Sequence, residues 1–205
     1  MASLDEYWNS LTDSLNCNES KSAKEFEIIK YLYSLPDRHY HNLSHLESLF
    51  HILESFEMKF HNKNAVGFAI FYHDAVYDVM SKENEKKSAG LAVKFIEPLD
   101  VELSRKVLSL IMATKTHISA SNDQDELYFI DADFSILGAP AEIYIQAANN
   151  VRKEYWSLEN DDFNEGRGKF LKETLARDNI FVTKEFRDLY ENQARENMEN
   201  ELKKI

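Results

Sequence analysis

In the stretch "FAIFYHDAVYD", Phe68 to Asp78, an almost unbroken apolar run ends in a histidine and an aspartate. Charge carried into a buried segment is costly unless it is paired or bound to a metal. Three other stretches put metal-competent side chains beside apolar helix faces. In "RHYHNLSHLESLF", His45 flanks the stripe led by Leu46 and Leu49, with His41 one turn earlier at its entrance. In "IMATKTH", His117 follows Leu110 by seven residues, which puts both on the same side of a helix. In "IDADFSILG", Ile130, Phe134, Ile136 and Leu137 define an apolar face at about 100° per residue. Asp133 lies inside that face and Asp131 points away from it. Asp133 is therefore the better inward ligand, and Asp131 stays in play if the segment is not regular helix.

Two histidines and two carboxylates drawn from these four places make a mixed nitrogen and oxygen site. Such a site suits one divalent ion (Mn, Fe, Zn or, less well, Mg) and leaves positions open for water and a phosphate oxygen. The ion supplies the charge that makes an inward Asp74 tolerable. This reading commits residues 66–77 to helix, because successive side chains on a strand point to opposite faces. Taken singly, each residue has an ordinary explanation: a lone inward histidine is more often a hydrogen-bonded core residue, and His51 and His61 read as ordinary helix or surface positions. It is the set in order that asks for a metal.

The elements that must position these groups are helices. Glycine (5) and proline (3) are scarce, and apolar residues recur at helical spacing. Leu43, Leu46, Leu49, Phe50, Leu53 and Phe56 form one stripe, Val107, Leu110, Ile111, Thr114 and Ile118 a second, and Tyr144, Ala147, Ala148, Val151 and Tyr155 a third. Segments near 3–16, 22–34, 85–97 and 164–177 also read as helices. The tail, 184–203, alternates charges along a helix with Phe186, Leu189 and Tyr190 as its apolar face. Turn signals fall at 34–42, 95–100, 119–125 and 137–142. "ELYFI" at 126–130 is the one rival strand candidate. The expected architecture is all-α, a single-domain helical bundle over 1–205. Its site-bearing core spans about 37–140, and a C-terminal helical extension covers 141–205.

The formal net charge of −12 argues against a nucleic-acid backbone or an anionic membrane as partner, since both reward excess lysine and arginine. A small anionic substrate remains compatible, because a metal inverts the local field. One cysteine, Cys17, excludes an intrachain disulfide and fits a reducing compartment. No secretory pattern opens the sequence and no apolar stretch approaches the roughly 20 residues of a membrane helix. The expectation is a cytoplasmic protein, with Phe and Tyr positions of the C-terminal segment as candidates for a homodimer contact.

The order His45, His73-Asp74, Asp133 resembles the H…HD…D signature of the HD-domain superfamily, all-helical metal-dependent phosphohydrolases. The likeness is closer to the subgroup of predicted metal-dependent HD phosphohydrolases, through "RHYHNLSH", "FYHDAVYD", "NEKKSA" and "DADFSILG", blocks that span about residues 37–140. The resemblance implies that His45, His73, Asp74 and Asp133 bind the metal, and that the substrate is a small phosphoester, possibly a nucleotide. In the guanosine-tetraphosphate hydrolases of the superfamily, HD opens an HDxxED motif. Here Tyr77 and Asp78 hold the acidic positions, so the glutamate is missing while Asp78 stays a candidate acid or base. Dinuclear members add two further histidines, whereas only His117 stands between Asp74 and Asp131. That favours one ion, disfavours the oxygenases of the superfamily and leaves His117 to bind phosphate or carry a proton. Arg38 and His41 are the nearest candidate donors to a phosphate, with Asn84 and Glu85 to orient a ligand or water. The alternative class is a non-catalytic metal-bearing sensor for a nucleotide or phosphorylated metabolite.

Overall fold

The computed structural model describes residues 2–119 and 121–205, and for Glu57 the backbone alone. Ala120, within the turn expected at 119–125, lies outside the described residues. Among them the chain is all-α: α1 Leu4–Ser14, α2 Glu19–Tyr33, α3 Leu43–Glu54, α4 Lys63–Tyr72, α5 Asn84–Ile96, α6 Val101–Ala113, α7 Gln124–Phe134, α8 Ala141–Glu154, α9 Asn160–Leu175 and α10 Lys184–Leu202. Short 3-10 turns lie at Glu57–Lys59 and Ser135–Gly138. The segment 126–130 is helix, not strand. No described helix is long and apolar enough to cross a membrane. Contacts gather the chain into two compact units, Met1–Ile130 and Asp131–Ile205, with the division inside α7.

Helix starts in the first unit follow from side-chain caps. Ser3 and Glu6 form a reciprocal capping box at α1, while Asn18, Asn42, Asn62 and Asp100 accept from free backbone N–H groups of α2, α3, α4 and α6. At the centre lies α4, buried from Ala65 to Tyr72 and packed against α1, α3, α5 and α6. A helix apolar all round can only be a core helix. Its entrance is held by the buried carboxylate of Asp125, which accepts from His61 N–H at 2.7 Å and Asn62 N–H at 3.2 Å. Beside it the Trp8 ring meets Phe26, Phe68, Phe71 and Phe95. Its indole N–H is satisfied by Ser22 Oγ at 3.0 Å, as a buried tryptophan requires.

In the second unit, α10 packs on the 3-10 turn, on α9 and on α8. Gly138 makes the first contact possible, because a Cβ there would stand 2.5 Å from Tyr190 Cβ and 2.6 Å from its carbonyl oxygen. The inward face of α10 is Phe186, Ala194, Asn197 and Met198. Leu189, expected on that face, is 62% exposed, because the contact with Gly138 turns the helix by its Tyr190 side. Phe186 is fully buried, so it serves this core and offers no dimer contact.

Arg167 grips Glu201 with two donors, at 2.8 and 3.0 Å, and the Tyr144 hydroxyl donates to the same carboxylate. Burial pushes the Glu201 carboxyl up, but the Arg167 hydrogen bonds and charge outweigh it and hold the group below its ordinary 4.5. A lowered carboxyl stabilises the fold above its unfolded value, and that contribution is lost as pH falls through the folded one. Glu201→Gln is expected to destabilise the second unit by about 2 kcal/mol near neutral pH. The gap to the parent chain should shrink as pH falls below the ordinary 4.5 and through the lowered value of the folded state. Thermal melts from neutral to acid pH check it, and a gap that does not change with pH would contradict the assignment.

Candidate metal centre

His45 is the third residue of α3, a place set by the helix start at Asn42, whose Oδ1 accepts from Ser44 N–H at 3.0 Å. His73 is the residue at which α4 ends. Its N–H still bonds Ala69 O at 2.9 Å and its dihedrals, φ −54 and ψ −39, are helical. The chain then leaves the helix, contrary to the expectation of helix to residue 77. The cause lies in where the following backbone groups bond. Asp74 N–H donates to the Tyr33 hydroxyl at 3.1 Å and Val76 N–H to Ser88 Oγ at 3.0 Å. The carbonyls of Asp74 and Ala75 are taken by the Arg38 guanidinium at 2.7 and 3.0 Å. A helix end followed by this turn brings the two side chains together as well as continuous helix would.

His45 Nε2 lies 3.1 Å from His73 Nε2. Asp74 Oδ2 lies 3.2 Å from His73 Nε2 and 4.0 Å from His45 Nε2. Among the described residues these three form a group able to hold a metal ion. Atoms sharing one ion at about 2.0–2.2 Å stand roughly 2.9–3.5 Å apart. Two of the separations fall in that range and the third is about half an ångström wide of it. His73 Nδ1 lies 2.9 Å from Ile70 O. A carbonyl only accepts, so Nδ1 carries the hydrogen and Nε2 presents its lone pair to the group, the orientation a ligating histidine needs. The Phe129 ring stands edge-on to the imidazole at 5.8 Å, and His73 is 1% exposed. A buried lone pair facing a second imidazole and a carboxylate calls for a proton or a cation among them.

His41 joins the edge of this group, its Nε2 3.8 Å from Asp74 Oδ2. Its ring lies on Tyr77 at 4.2 Å. Arg38, expected to face a phosphate, is buried with its guanidinium between the rings of Tyr33 and Tyr77, at 5.3 and 5.2 Å. Besides the two carbonyls of the turn it donates to His41 O at 3.1 Å. It is a clamp on the turn that carries Asp74. Sequence reasoning gave no structural part to Tyr33, to Tyr77, noted only as standing where an acid is missing, or to Ser88, noted only within the block "NEKKSA".

Other expected residues are placed differently. Asp78, the candidate acid or base, would stand one helical turn beyond Asp74 if the helix expected over 66–77 carried through it. With the helix ended at Tyr72, Asp78 is exposed and its Oδ1 accepts from Met80 N–H at 2.9 Å. Asn84 bonds both ways with the Asp78 backbone, at 3.2 and 2.9 Å, and so ties the loop before α5. Glu85 is half-buried in the first turn of α5. His117 is not on the Leu110 face: α6 stops at Ala113, and His117 closes the turn beyond it with φ 48 and its N–H on Ala113 O. Ile118, past that turn, is exposed.

Asp131 is the clearest reversal. The apolar face placed it outward, yet it is 2% exposed, while Asp133 is half-buried. Its carboxylate accepts from Val182 N–H, Thr183 N–H and Thr183 Oγ1, each at 2.7 Å, which anchors the start of α10. Burial raises the Asp131 carboxyl above its ordinary value, and these hydrogen bonds only partly offset it. Because Tyr128, Phe129, Ala132 and Phe134 are buried as well, an apolar stripe cannot tell inward from outward in this helix.

No family model, curated protein or solved structure matches the chain. The chemistry of the centre therefore rests on its own residues.

Proposed function

We propose that the chain is a metal-dependent phosphohydrolase of the HD type, acting on a small phosphoester, possibly a nucleotide. The observation that supports it is the convergence of His45 Nε2, His73 Nε2 and Asp74 Oδ2 within 4.0 Å of one another, in the order that the H…HD…D resemblance expects. His45, His73 and Asp74 would hold one divalent ion, and Asp133 is proposed as a fourth ligand on the resemblance alone. A bound divalent ion supplies Lewis acidity and lowers the pKa of a coordinated water.

The chain's own residues contribute the rest. Ile70 O fixes the His73 tautomer. Tyr33 and Arg38 hold the backbone of Asp74 from its two sides, which keeps its carboxylate aimed. His41, 3.8 Å from Asp74 Oδ2 and half-buried, is the group best placed to donate a hydrogen bond to a phosphate oxygen or carry a proton. It takes over the part expected of Arg38 and Asp78.

A second reading, a metal-bearing sensor, has one observation in its favour: Asp78, the expected acid or base, is turned to a backbone N–H. Elemental analysis followed by a panel of phosphomonoesters and nucleotides with Mn, Co, Ni and Mg separates the two. Turnover that EDTA abolishes and added metal restores is expected. Saturable nucleotide binding without turnover would overturn the hydrolase in favour of the sensor.

A further inference from the structure

The second unit carries an open cleft of about 630 Å³, within the range of small-ligand sites. It is walled by facing stripes of α8, α9 and α10 and takes no part in the metal chemistry. Helices normally close such a space with aliphatic side chains. Here the facing positions are Ala141 and Ala148, too short to fill it, and a ring of asparagines.

The lining divides into two kinds of surface. Ile145 and Ile205 remain 46% and 41% exposed beside Phe163 and Ala148, an apolar wall without a cover. At the rim stand Arg152, Lys203 and Lys204 against one acidic side chain, Glu201. Glu201 is already matched by Arg167. Arg152 donates to the carbonyls of Tyr155 and Leu158 and to Asn160, Lys203 donates to the Asn200 side chain, and the charge of Lys204 adds to that of Arg167 in lowering the Glu201 carboxyl. The side-chain amides of Asn149 and Asn164 make no hydrogen bond to another described residue. In a chain of formal charge −12, a locally positive mouth over an apolar wall selects for charge sign.

We propose that this cleft binds a small organic anion with an apolar body, a carboxylate on a hydrocarbon or aromatic frame. The body covers Ile145, Phe163 and Ile205. The carboxylate meets Lys203 and Lys204, with Asn149 and Asn164 as further donors. Octanoate is the probe, with octanol as its uncharged counterpart, titrated calorimetrically into the whole chain in the presence and absence of EDTA. One octanoate per chain is expected, independent of metal, with octanol at least about tenfold weaker. Reversing both lysines, Lys203→Glu with Lys204→Glu, should weaken octanoate by at least about tenfold, or about 1.4 kcal/mol. Ala148→Trp should block the cleft. Both lysines are exposed, so the reversed chain should melt as the parent does and decides the matter even if Ala148→Trp fails to fold. Absence of saturable octanoate binding, equal binding of octanol, or undiminished binding by the lysine-reversed chain would each overturn the proposal.

Discussion

Replacing His73 with alanine is expected to abolish stoichiometric divalent-metal binding, with affinity falling by more than about 100-fold, beyond the 10–100-fold that loss of an outer partner costs. No other described side chain stands in for it. His73 is the member of the group closest to both others, 3.1 Å from His45 and 3.2 Å from Asp74, and the one whose tautomer is set by a backbone carbonyl. Asp74→Asn should have nearly the same effect with less disturbance of packing, because it removes the anionic oxygen while keeping the shape. Elemental analysis of the purified variants checks stoichiometry, and calorimetric titration with manganese and zinc checks affinity. A ligand that binds only the native state stabilises it by about 2.7 kcal/mol at a hundred times its dissociation constant. The parent chain should therefore melt lower in EDTA than with manganese, and both variants should melt at one temperature in either. Metal content equal to the parent's in either variant would remove the basis for the hydrolase and the sensor together.

Much of the fold was legible because it rests on local rules. The stripe through Leu46, Leu49, Phe50 and Leu53 is buried in α3 as periodicity requires, and the caps at Asn42 and Asp100 stand at helix starts. His45 and His73-Asp74 were legible for a different reason: singly each has an ordinary explanation, and only their order along the chain pointed to one centre. What failed was information held by distant partners. Where α4 ends is decided by Arg38, Tyr33 and Ser88, the first two about forty residues before the turn and the last twelve residues after Val76. That end displaced Asp78 from the helical turn on which its role depended. Asp131 was misread in the same way, since the groups that draw it inward, Val182 and Thr183, lie 51 and 52 residues on. Periodicity reports which face is apolar. It says nothing of a polar partner waiting inside.

Arg38 separates the two readings of the loop before α3, and Arg38→Lys is the sharper test. A lysine keeps the charge, so a residue that only attracts phosphate should tolerate it, with KM raised and metal affinity unchanged. A clamp should not tolerate it. The guanidinium makes three hydrogen bonds in one plane, to the carbonyls of His41, Asp74 and Ala75, while lying between two tyrosine rings. A single ammonium matches neither the fork nor the stacking. Each carbonyl left without a donor in this largely buried turn costs about 1–3 kcal/mol, and the turn carries Asp74 directly. The expected result is a lower melting temperature and a metal affinity reduced about 10–100-fold before any substrate is present, in the range that loss of a ligand-orienting partner produces. Arg38→Ala should be worse on both counts, since it also opens the space between Tyr33 and Tyr77. Manganese titration of the substrate-free variants reads the affinity directly. A lysine variant with parental metal affinity and stability but a raised KM would return Arg38 to the phosphate and leave the turn at Asp74 to be held by Tyr33 and Ser88.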